Sequence, residues 1–166
     1  PALEHSDGEL LFERGALHFK GKTQLTHAPH VVWHKVEVDV PSLSEPVVKV
    51  KAEGRGPLQE LLATVNKSAL GPLIDGALTK TQATGEAEYG LGLTVPLDHL
   101  DKTELHGQVQ FKGNELQVVP GTPVLTQAKG VLRFDGQGLE VKELKAKTLG
   151  GDVSLQGGLS FADAPN

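Results

Sequence analysis

The stretch ATGEAEYGLGLTVPL, residues 83–97, alternates strictly between two kinds of side chain. Ala83, Gly85, Ala87, Tyr89, Leu91, Leu93 and Val95 form one row, and Thr84, Glu86, Glu88, Gly90, Gly92 and Thr94 form the other. Successive side chains of a strand point to opposite faces, so the pattern describes a long strand with one dry face and one wet face. A dry face must be covered by a second sheet, a helix or a ligand. Which of these covers it bears directly on function.

The same alternation recurs along the chain. Leu10 and Phe12, then Leu17 and Phe19, make two short strands or one bent hairpin around Arg14-Gly15. Val32, His34, Val36, Val38 and Val40 share a face, and Pro41 ends that strand because it has no N–H for a ladder. Val48, Val50 and Ala52 alternate with Lys49, Lys51, Glu53 and Arg55. Later strands are expected at 83–95, 103–112, 115–119, 124–135, 138–147 and 149–161, with a slip at Glu143 that suggests a bulge. Gly113-Asn114, Asp135-Gly136 and Gly150-Gly151 supply the turns.

One segment breaks the two-residue period. Leu58, Leu61, Leu62 and Val65 follow helical spacing after Pro57, and Leu70, Leu73, Ile74 and Leu78 follow it again beyond Gly71-Pro72. Residues 57–80 are therefore expected to form a helical hairpin between strands. The fold class is mainly β with this insertion. It is either one long, curved antiparallel sheet forming an open groove or half-barrel, or a two-sheet sandwich; alternation alone fits both. The long strands, the small aliphatic inner residues and the shortage of helices to cover them are what the groove needs. Residues 1–166 are expected to be a single β-rich domain.

Composition narrows the function. A net charge of −5 with interspersed signs leaves no basic patch for nucleic acid, and one Trp, one Tyr and five Phe offer little for bases to stack on. The absence of Cys removes thiol catalysis, thiolate metal sites and disulfides. No apolar run approaches the roughly 20 residues of a membrane span. The lack of Met, even at position 1, suggests a processed chain or an excised fragment.

The enzymatic options are weak. His27, His30 and His34 have spacing that zinc could use, but Pro29 interrupts the approach and no carboxylate is fixed beside them. The serines lack a nucleophile-elbow pattern. Glu86 and Glu88 sit on the wet row, which reads as a solvated face and not as the burial that a catalytic carboxyl needs. Gly54-Arg55-Gly56 precedes a helix without dinucleotide or P-loop spacing. No catalytic residue, metal or cofactor is assigned.

The order of motifs adds to this. Gly56-Pro57-Leu58 before a helix, the small-residue break from Ser68 to Pro72, Ala83-Thr84-Gly85, Val95-Pro96-Leu97, Pro123 to Leu125, Gly130 to Phe134 and Leu149-Gly150-Gly151 occur in sequence. In this order and spacing the chain resembles, from about residue 8 onward, the central periplasmic region of the YhdP group of AsmA-like proteins. The resemblance implies a segment of a large Gram-negative envelope protein with an inner-membrane anchor and a long periplasmic β-rich body. It implies a non-enzymatic, hydrophobic-lined path for phospholipids toward the outer membrane. Phospholipid acyl chains and neighbouring segments of the same parent chain are the implied partners. Tyr89, Leu91, Leu93, Val95, Leu105, Val109, Phe111, Leu132, Phe134, Val153 and Leu155 are the candidate groove residues. The competing expectation is a sandwich that serves as a structural interaction domain without lipid.

Overall fold

The computed structural model of the chain describes residues 3–25, 28–42, 44, 47–67 and 79–160. Among them are ten strands and one α-helix: β1 (Leu3–Glu13), β2 (Ala16–Leu25), β3 (Ala28–Val40), β4 (Val47–Pro57), α1 (Leu58–Lys67), β5 (Gln82–Thr84), β6 (Glu86–Pro96), β7 (Glu104–Gln117), β8 (Leu125–Asp135), β9 (Gly138–Thr148) and β10 (Gly151–Ser160). All ten strands belong to one antiparallel sheet. Its order is β1-β2-β3-β4-β6-β7-β8-β9-β10, with β5 paired to the end of β7. Along this path each strand lies beside the next one in sequence, because short connections make antiparallel neighbours, except that α1 and β5 intervene in sequence between the paired strands β4 and β6. β1 and β10 remain edges, so the sheet is not closed into a barrel.

Of the two architectures that alternation allowed, the structure shows the single open sheet and not the sandwich: among the described residues all ten strands join one sheet, with no second layer of strands. Of the expected helical hairpin, the first limb is α1; the second falls on residues 68–78, outside the described residues. Pro57 closes β4 instead of opening the helix.

Three strand assignments shift for identifiable reasons. The run 83–95 divides at Gly85, whose φ of 81° lets the chain step aside, so β5 and β6 are separate strands on the same partner. Residues 103–112 and 115–119 are a single strand, β7, because Gly113-Asn114 makes a register shift and not a turn. In β3 the alternation slips between Trp33 and Lys35. Val31, Trp33, Val36 and Val40 are buried while His34 is exposed and Val32 sits opposite Arg55, so neither Val32 nor His34 belongs to the expected row. The slip carries the indole onto the dry face, where it lies over Gly54.

Candidate functional site

The register collects one row of side chains from every long strand. One line across the sheet runs Leu10, Phe19, Val38, Val50, Leu93 and Leu105. A second runs Val36, Ala52, Leu91, Gly107, Phe134 and Leu139. A third runs Trp33, Gly54, Tyr89, Val109, Leu132 and Val141. A fourth runs Ala87, Phe111, Gly130, Leu144 and Leu155. These lines make one continuous apolar face. The glycines within them are occupied space: the Trp33 ring lies over Gly54 and the Phe134 ring over Gly107.

All eleven sequence-predicted residues fall on this face, but their burial differs. Tyr89, Val109 and Phe111 are buried core; Leu91, Leu93, Val95, Leu105, Leu132, Phe134 and Val153 are half-buried; Leu155 is 43% exposed. The face also extends well beyond them. Phe19, Val36, Val38, Val50 and Ala52 continue it through β2, β3 and β4. Their signal was present in the alternation of residues 47–55 and, after the slip, in β3.

One end of the face is covered by α1. Leu58 is 3% exposed, and Leu61 and Leu62 pack against the core cluster. Polar contacts fix the helix there. The Leu58 N–H donates to the Gly85 carbonyl at 3.0 Å, the Ala83 N–H donates to Gln59 Oε1 at 2.8 Å, and the His30 N–H donates to Glu60 Oε2 at 3.1 Å. Tyr89 anchors the same end. Its hydroxyl donates to the Gly56 carbonyl at 2.7 Å, and its ring stands 6.3 Å from that of Trp33. Burial, and then the Glu86 and Glu60 carboxylates, raise the phenol well above its ordinary pKa. Tyr89 is thus a structural anchor of the capped end. Toward the opposite end the described residues supply no such cover, and Leu97 and Leu100 are exposed.

The other face is a charge ladder. Glu9, Lys20, Glu37 and Lys51 follow one another across four strands, and His18, Asp39 and Lys49 across three. Ion pairs join Lys20 to Glu37 at 3.6 Å and Lys35 to Glu53 at 3.4 Å, and Lys112 to Glu88. A cavity of about 1090 Å³ lies over this polar side. Lys51, Glu53, Glu88, His106, Gln108 and Arg133 line it. Of the eleven expected groove residues, Tyr89, Leu91 and Phe134 contribute to its wall. A wall of charged side chains opposes burial of hydrocarbon, because covering it would strip their hydration. The apolar face carries no such charges.

Of His27, His30 and His34, His30 has a carboxylate beside it that spacing in the sequence did not indicate. Among the described residues no group of three His, Asp or Glu could hold an ion. His27 lies outside the described residues, His30 Nδ1 is 2.5 Å from Glu60 Oε1, and His34 is exposed on β3.

The family model described as YhdP protein matches residues 1–162. The chain belongs to the YhdP family. No curated protein and no solved structure matched it. The family assignment covers all ten strands and α1, so the apolar face and the charge ladder both lie inside the region it spans.

Proposed function

We propose that this YhdP-family chain is a non-enzymatic segment of a phospholipid-binding surface in a Gram-negative envelope protein. Acyl chains lie along the apolar face and headgroups stay in water. The reading rests on one observation: an apolar face, built from overlapping rows that together reach from β1 to β10, that among the described residues is covered only at the α1 end. Hydrocarbon placed there gains about 0.8 kcal/mol per buried methylene without any specific polar contact. The face therefore discriminates poorly between headgroups. In this reading the parent protein is periplasmic and anchored in the inner membrane, neighbouring segments of the parent continue the surface, and the whole serves outer-membrane lipid homeostasis.

Native mass spectrometry of the purified chain tests the proposal. Phospholipid-sized adducts that exchange with an added fluorescent fatty acid support it. A lipid-free protein that also fails to bind the fluorescent fatty acid overturns it.

A further inference from the structure

Charges on the polar face follow a rule. Ionisable side chains set directly opposite one another in register carry opposite signs, as in Glu9 with Lys20, Glu37 with Lys51, Arg55 with Glu88, Arg133 with Glu140, and Asp152 with Lys147. Opposed like charges destabilise an antiparallel ladder, so this is the pairing that energetics favour. Among the described residues the rule is broken in one place. Lys112 of β7 stands opposite Lys129 of β8, and Lys129 stands opposite Lys145 of β9. Both exceptions share Lys129, so three lysines form one row across three adjacent strands.

The row cannot relax by slipping. Gly130 follows Lys129, and a Cβ added to it would stand 2.0 Å from the Glu143 carbonyl oxygen. A one-residue slip of β8 would push a side chain into that close contact and turn the apolar row of the strand to the polar side. Two of the lysines draw on carboxylates outside the row. Lys112 pairs with Glu88, and Lys145 Nζ lies 3.1 Å from Glu143 Oε1. Lys129 is exposed and has no ion-pair partner among the described residues; its neighbours on both sides are cations.

We propose that Lys112, Lys129 and Lys145 form a binding site for a soluble oligophosphate, a compact anion with two or more linked phosphate groups. Strands about 4.8 Å apart spread the three lysines over roughly 10 Å, more than a single phosphate covers. Each ammonium is a compact charge with rotatable donors on a flexible stem, so neighbouring lysines can close on linked phosphates. The anion relieves the repulsion at Lys129, which no carboxylate of the described residues does. Extended anions fit less well. The chain carries a net charge of −5, and Glu88 and Glu143 stand beside the row. A bilayer surface or a nucleic acid would press against those carboxylates, whereas a compact anion lies within the row. The site is on the face opposite the acyl surface and needs no lipid.

Isothermal titration of the purified chain with tripolyphosphate, and with monophosphate at matched ionic strength, tests the site. Tripolyphosphate is expected to bind one to one and at least about tenfold more tightly than monophosphate, a difference near 1.4 kcal/mol. The affinity falls as sodium chloride is added. Lys129→Gln should weaken tripolyphosphate binding by about tenfold or more. Its urea midpoint without anion should hold or rise, because the substitution removes repulsion and no partner. Lys147→Gln, whose lysine faces Asp152 in the neighbouring row, should leave the affinity unchanged. Equal affinity for the two phosphates overturns the proposal, as does a Lys129→Gln chain that binds tripolyphosphate like the parent or has a lower urea midpoint. Binding of phosphatidylglycerol vesicles that depends on Lys129, in place of tripolyphosphate, also overturns it.

Discussion

Asn114 ties the centre of the sheet together. It is 2% exposed, and its side chain serves three backbone groups. Nδ2 donates to the carbonyls of Thr84 and Glu86 at 3.0 and 3.1 Å, while Oδ1 accepts the Lys112 N–H at 2.9 Å. These bonds bridge the break at Gly85 and the register shift in β7 at once. Replacement by alanine leaves all three backbone groups without this partner. Asn114→Ala is expected to lower unfolding stability by about 2–3 kcal/mol, read as a lower urea midpoint at unchanged slope. Tyr89 offers a second check, because it is the only tyrosine in the chain. Its folded pKa is raised above the unfolded value of 10.0, chiefly by burial. The folded state therefore holds the phenolic proton more tightly. The resulting stability is fully present below that value and is lost as pH rises above it. Absorbance of phenolate at 295 nm should appear only together with unfolding, and a phenolate titrating near pH 10 in the folded chain would contradict the buried hydroxyl.

At the scale of elements, strand positions were legible because each strand carries a wet row and a dry row, and a slip of one residue would invert them. Residues 47–55 show this in its plainest form. What alternation could not show was where two rows change places. The slip at Trp33 exchanges Val32 and His34 for Val31 and Trp33, and no local propensity marks it; the advantage lies in covering Gly54 on the neighbouring strand. Gly113-Asn114 was misleading for a related reason. The dipeptide has turn chemistry, yet here its amide side chain is spent on the β5–β6 break, 30 residues away from Thr84. The helix at 58–67 was legible from its spacing, but its role as a cap over one end of the apolar face required the contacts of Leu58, Gln59 and Glu60. Leu58→Ala should cost about 2–4 kcal/mol, since it removes a buried side chain from the junction of helix and sheet. The fluorescence of Trp33, the single tryptophan, reports that unfolding directly.

For the whole molecule, the decisive feature is that two faces of one sheet differ so completely. A sheet that is charged on one side and aliphatic on the other fits a boundary between water and hydrocarbon. The candidate site was only partly legible in the sequence. Its members from Tyr89 to Leu155 could be read from alternation, and so could the apolar rows of Phe19, Val38 and Val50; that these rows join it needed the register, which sets Val50 opposite Leu93. That register also supplies the sharpest test of function. Leu93 and Leu105 face each other, half-buried, near the Leu97 and Leu100 end of the sheet and clear of the helix. A carboxylate placed there obliges hydrocarbon to leave its neighbourhood or to desolvate a charge. Displacing even two methylenes from the face forfeits about 1.6 kcal/mol, slightly more than a tenfold loss of affinity. Leu93→Asp should therefore weaken binding of a fluorescent fatty acid by tenfold or more while the urea midpoint, followed by Trp33, confirms a folded chain. Arg133→Gln, in the wall of the polar cavity, should leave that binding unchanged. The reverse outcome, with binding indifferent to Leu93 and lost with Arg133, would place the ligand in the charged cavity and remove the apolar face from the mechanism.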